Sequence, residues 1–161
     1  AYHLGDKKYI KDTTLINKKG EYVFAGKEAL PGGIYIVYFP DKKNFEIIVN
    51  EQKFRIETDT NDFVKNFKTE DSQENKVFYD YLKFTSAIND KAMPISNERG
   101  EIMEKLKDEK IKKSEKESLE NRKDEIETTL KGYEKEIKDY RKNLFDTKAD
   151  LFVVKTFKVV Y

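Results

Sequence analysis

Near residue 60 the spacing of apolar side chains changes from two residues to between three and four, and no single regular element satisfies both periods. Upstream of that point, residues 9–16 alternate and lead into the turn Asn17-Lys18-Lys19-Gly20 and residues 21–26, which predicts a hairpin. Pro31-Gly32-Gly33 breaks the chain before residues 34–39, a run apolar on both faces and so the expected most buried strand. Residues 40–44 form a second turn, after which Phe45, Ile47 and Val49 share one face. Beyond Asn50-Glu51-Gln52, the side chains of Phe54, Ile56 and Thr58 alternate with Arg55, Glu57 and Asp59. Short strands punctuated this regularly predict an antiparallel meander or sandwich layer over residues 1–60.

Downstream, residues 62–67 read as one helical turn. Asp71 or Ser72 can cap a helix whose first turn holds Glu74, a carboxylate at the positive end of the helix dipole. Val77, Phe78, Tyr81, Leu82, Phe84, Thr85 and Ile88 then fall on one helical face. Pro94, Asn97 and Gly100 predict an interruption. Lys and Glu dominate residues 101–145, yet Ile126, Leu130, Tyr133, Ile137, Tyr140 and Leu144 follow steps of 4, 3, 4, 3 and 4, a heptad seam. Lysines 112 and 113 followed by Ser114 and Glu117 read as a helix stop and a new capping box. Residues 151–160 fit helix or strand by spacing alone, with helix preferred. The expected class is α+β: a β-domain over 1–60, then a helical region over 61–161. Its helices are expected near 72–90, 97–112, 115–145 and 148–160, with an antiparallel hairpin and a C-terminal helix.

Composition bears on whether such a chain folds at all. Hydrophobic residues make up 37% and charged residues 39%, against about 45–50% and about 25% in an average domain. The aromatic 13% lies in patterned runs, which can bury enough surface to offset chain entropy. Net charge is +1, and residues 1–60 carry 10 basic and 9 acidic groups, so neither half has the basic excess that phosphate binding requires. A nucleic-acid partner is not expected. No apolar run approaches the roughly 20 residues of a membrane span. The chain has no initiator Met and starts within a strand-like run, which suggests a trimmed N-terminus, so a missing signal peptide carries no information.

The residues suggest no catalytic, cofactor-binding or metal-binding site. With no cysteine there is no thiol nucleophile and no thiolate ligand. His3 is the single histidine and has no second histidine or cysteine to complete a metal or catalytic set. Glu57, Asp59, Asn61 and Asp62 form one oxygen-rich cluster. It could be read as a calcium site, but lacks the glycine and distal glutamate of an EF-hand, and local capping explains it more simply. The carboxylates between Glu98 and Asp150 sit at helical spacing from lysines, as on a solvated face.

Several runs carry a family resemblance: residues 5–13, 20–27, 30–37 (Leu-Pro-Gly-Gly-Ile-Tyr-Ile-Val), 54–63, 74–82 and 150–155. Together they resemble a domain of unknown function from Bacteroidetes envelope proteins, where it precedes a thioredoxin-like (redoxin, thiol:disulfide interchange) domain. The resemblance implies a periplasmic or outer-membrane-associated accessory module whose partner is a downstream thioredoxin-like domain. No Trp-Cys-x-x-Cys segment is present, so no redox residue carries over. Other readings are a fragment of a thiol–disulfide oxidoreductase whose activity lies downstream, or a small-ligand or lipid-binding domain using apolar surface beside Phe78–Ile88. The heptad seam also allows a homodimer.

Overall fold

A computed structural model describes the backbone of residues 2–4 and 7–160 and the side chains of residues 10–157; the side chain of His3 lies outside the described residues. The chain is α+β, with short antiparallel strands in two small sheets followed by two long helices and a short one. The strands are β1 (Tyr2–Leu4), β2 (Lys7–Tyr9), β3 (Gly33–Tyr38), β4 (Asn44–Val49), β5 (Arg55–Glu57) and β6 (Lys68–Glu70). The helices are α1 (Gln73–Lys105), α2 (Lys113–Thr147) and α3 (Phe152–Val160). Two compact units emerge, one from residues 1–81 with 150–161 and one from residues 82–149. The first therefore draws on both sides of the expected division at 60, because the start of α1 and all of α3 belong with the strands, and α3 packs on α1 through Phe157 against Phe78 and Tyr81.

In the first unit, a four-stranded sheet has the order β2-β1-β3-β4 and β5 pairs with β6 separately. The apolar run 34–39 does become an interior strand, and Tyr35 and Ile36 are buried. The pairing Ile34↔Ile48 to Tyr38↔Asn44 leaves β4 at the edge. Phe39, Phe45, Phe63, Phe67, Tyr79, Phe78 and Phe157 touch ring to ring, so the aromatic side chains fill the core themselves. The strand β6 was not foreseen, since Lys-Thr-Glu has no apolar alternation; Thr69 instead donates its hydroxyl to the Arg55 carbonyl and Lys68 pairs with Glu57.

The hairpin expected over 9–26 forms only at its turn. The Oδ1 of Asn17 accepts the N–H groups of Lys19 and Glu21, and Gly20 takes the positive φ of 80° that closes the turn. Beyond it a single bridge, Ile16↔Tyr22, replaces two strands. Leu15 is 89% exposed and Val23 59%, so the alternating side chains have no layer to bury against, and pairing does not propagate.

In the second unit the expected interruption at Pro94 does not occur, and one helix runs through residues predicted to separate two. Proline removes one helical hydrogen bond and strains the preceding turn. Pro94 is exposed, which leaves the freed carbonyl open to solvent, while Ile88 and Ile102 bury their side chains on either side. Tertiary packing outweighs the local preference. The real break is earlier than Lys113-Ser114. Residues 106–112 turn with Asp108 accepting the Lys110 N–H, and α2 starts after Lys112 with no side-chain cap. Ser114 thus lies inside the helix and the capping box is not formed.

The heptad seam is the face on which α2 packs: Ile126 and Leu144 are buried and the positions between are half-buried. Phe84 of α1 stacks on Tyr140, and Arg122 forks onto both oxygens of Glu98 at 2.7 and 2.8 Å. That guanidinium holds the Glu98 carboxyl below its ordinary range. Gly132 lies exposed in α2, and an added Cβ would meet nothing within 4 Å. Gly132→Ala is expected to stabilise the chain by about 1 kcal/mol, read as a higher urea midpoint at unchanged slope.

Candidate functional site

The buried polar side chains gather at one place in the first unit, where the β4 edge, the first turn of α1 and the first turn of α3 meet. Asn75 is fully buried, Glu74 is 1% exposed and Ser72 6%. The sequence places them there for a local reason. Ser72 caps α1 by accepting the Asn75 N–H at 3.2 Å, while the Glu51 carboxylate accepts the N–H groups of Gln73 and Glu74. Ser72 also donates its hydroxyl to Glu51 at 3.0 Å, so the cap is itself held.

Asn75 completes the edge of β4. Its Oδ1 accepts the Ile48 N–H at 2.8 Å and its Nδ2 donates to the Ile48 carbonyl at 2.7 Å, as a neighbouring strand would. One helical turn on, the Tyr79 hydroxyl donates to the Glu46 carbonyl at 2.7 Å. The two contacts fit because four helical residues rise about 6 Å and two strand residues about 6.8 Å. Residues four apart on α1 therefore reach residues two apart on β4. Burial pushes the Tyr79 phenol well above its ordinary value, and the Glu46 charge adds to that effect.

Glu74 faces the other way. Its carboxylate accepts the Asn50 Nδ2 at 3.0 Å, the Phe152 N–H at 2.9 Å and the Val153 N–H at 2.8 Å. An anion buried there is compensated by charge-assisted hydrogen bonds and by the positive end of the α3 dipole. Three consecutive residues after β4 thus serve α1 and the segment before β3: Asn50 holds Glu74, Glu51 caps α1, and Gln52 bonds both the N–H and the carbonyl of Leu30. Among the described residues no buried side-chain nitrogen or oxygen lacks a partner.

The oxygen-rich cluster does not converge. Asp59 accepts the N–H groups of Asn61 and Asp62, Asp62 accepts those of Val64 and Lys65, and Glu57 pairs with Lys68. These oxygens cap the turn at 62–66. Among the described residues no group of three or more His, Cys, Asp or Glu is placed to hold a metal. Sequence reasoning passed over Asn50-Glu51-Gln52 as the stretch between two alternating runs and did not single out Asn75. A signal for the latter exists: position 75 shares the apolar stripe of Phe78, Tyr79 and Leu82, and an amide on such a stripe needs a buried partner.

The surface has a distinct feature as well. Of the ten large hydrophobic residues exposed among the described ones, seven lie between Ile10 and Leu30, including Leu15, Val23 and Phe24. The segment is tied to the sheet by the ring contact of Tyr22 with Phe39 and the ion pair of Glu21 with Arg55. No helix is long and apolar enough to cross a membrane among the described residues.

Residues 1–78 match a family model described as a domain of unknown function, DUF4369. The match takes in all six strands and the turn of α1 that carries Glu74 and Asn75. No curated protein and no solved structure matches the chain.

Proposed function

We propose that this chain is a non-catalytic accessory module that acts through its surface, and that its N-terminal domain of unknown function orients a thioredoxin-like partner in the cell envelope. The observation that carries the reading is the concentration of exposed apolar side chains between Ile10 and Leu30, beside a body whose buried polar groups bind backbone. Exposed apolar patches of this kind mark interaction surfaces. The choice of a thioredoxin-like domain as partner, and of periplasm or outer membrane as location, rests on the family resemblance of residues 5–37, 54–63, 74–82 and 150–155. Redox activity then belongs to the partner. Pairing of two copies through the heptad seam is the weaker reading, because Tyr140 and Arg122 already engage Phe84 and Glu98 within the chain.

The isolated chain is expected to show no turnover in insulin disulfide reduction. Titrating the isotope-labelled chain with a thioredoxin-like domain from a protein that carries this N-terminal domain should shift the resonances of Leu15, Val23 and Phe24. Phe24→Asp should weaken that binding at least tenfold. Turnover by the chain alone, or shifts confined to residues outside 10–30, contradicts the reading.

A further inference from the structure

The helix α3 is unusual in what starts it. At 9 residues it is shorter than the roughly 12–15 that a helix needs to persist alone in water. It has no acidic residue in its first turn. Thr147 belongs to α2 and donates its hydroxyl to the Asn143 carbonyl, while Asp150 is exposed. The N–H groups of Phe152 and Val153 go instead to Glu74, 78 and 79 residues away in sequence. The apolar side of the helix, Val153, Val154 and Phe157, is buried, with Phe157 against Phe78 and Tyr81. Among the described residues, the partners that satisfy its first N–H groups and cover its apolar side are therefore tertiary.

We propose that α3 is a strap that opens as one unit, with the Glu74 carboxylate as its clasp. Among the described residues, opening breaks the two hydrogen bonds to Glu74 and exposes the buried Val153, Val154 and Phe157, and it hydrates the carboxylate rather than leaving it buried and unpaired. The released segment has no local cap to keep it helical, so undocking and unfolding are one event. The open state uncovers the rings of Phe78 and Tyr81 on α1, which turns a covered face into an available one.

Amide hydrogen exchange on the full chain tests this. In the unaltered protein, the amides of residues 155–160 should exchange at least tenfold faster than those of residues 77–81. Glu74→Ala should accelerate the α3 amides at least tenfold further and leave residues 77–81 and α2 unchanged. Asp150→Ala should change nothing. Should Glu74→Ala fail to fold, Val153→Ala is expected to give the same selective acceleration. Equal rates for α3 and residues 77–81, or no effect on α3 from either variant, overturns the proposal.

Discussion

Asn75→Ala is expected to destabilise the protein by about 4 kcal/mol. The side chain is fully buried and satisfies both the N–H and the carbonyl of Ile48, itself fully buried. Removing it leaves two buried backbone groups without partners, at about 1–3 kcal/mol each, and also takes the Nδ2 donor away from Ser72. A loss of that size is a large fraction of the roughly 5–15 kcal/mol that separates folded from unfolded states. Urea unfolding should show a lowered midpoint at unchanged slope. Asn75→Asp should not rescue stability, because the carboxylate oxygen that replaces Nδ2 would face the Ile48 carbonyl and repel it. A change within about 0.5 kcal/mol, the range of ordinary surface substitutions, would show that the amide does not hold the edge.

The second large effect concerns Tyr79, whose ring lies parallel to Phe67 and meets Phe78 edge-on while its hydroxyl holds Glu46. Tyr79→Ala is expected to cost about 3–5 kcal/mol, as for other buried aromatic truncations. Tyr79→Phe keeps the ring and loses one hydrogen bond, about 1 kcal/mol. The pair separates packing from polar contact. The phenol also gives a pH signature. Its folded value lies above the ordinary 10.0, so the neutral form is favoured by folding. That contribution is complete below pH 10.0 and is lost as pH rises from there through the folded value. Thermal unfolding above pH 10.0 should therefore fall more steeply for the unaltered chain than for Tyr79→Phe. Parallel curves would contradict the assignment.

Much of this architecture was legible in the residues. Strands precede helices, although β6 lies beyond the change of period near residue 60 and α1 starts only at Gln73; the doubly apolar run 34–39 becomes the interior strand, and the heptad steps from Ile126 to Leu144 mark the packed face of α2. Ser72 was readable as a cap because its position relative to the apolar stripe is local information. Two of the misreadings share a cause. Pro94 and the alternation of residues 9–26 are local signals, and each was overruled by whether a packing layer exists nearby. Pro94 is carried by flanking isoleucines, whereas Leu15 and Val23 have no layer and form no strand. The Glu74 contacts were hidden for a further reason. A carboxylate in the first turn of α1 reads as that helix's own dipole partner, and nothing in spacing reveals that it serves a helix 78 residues away.

Side chains from the first turns of α1 act as the missing neighbour of an edge strand and as the anchor of α3. Hydrogen exchange at the Ile48 amide tests this most directly, since that N–H lies on the edge side of β4 and its partner is Asn75 Oδ1. Exchange there is expected to be slow in the unaltered chain, comparable to the amides of buried Tyr35 and Ile36, and at least a hundredfold faster in a folded Asn75→Ala chain. Fast exchange at Ile48 in the unaltered protein, at the rate of an open sheet edge, would contradict it.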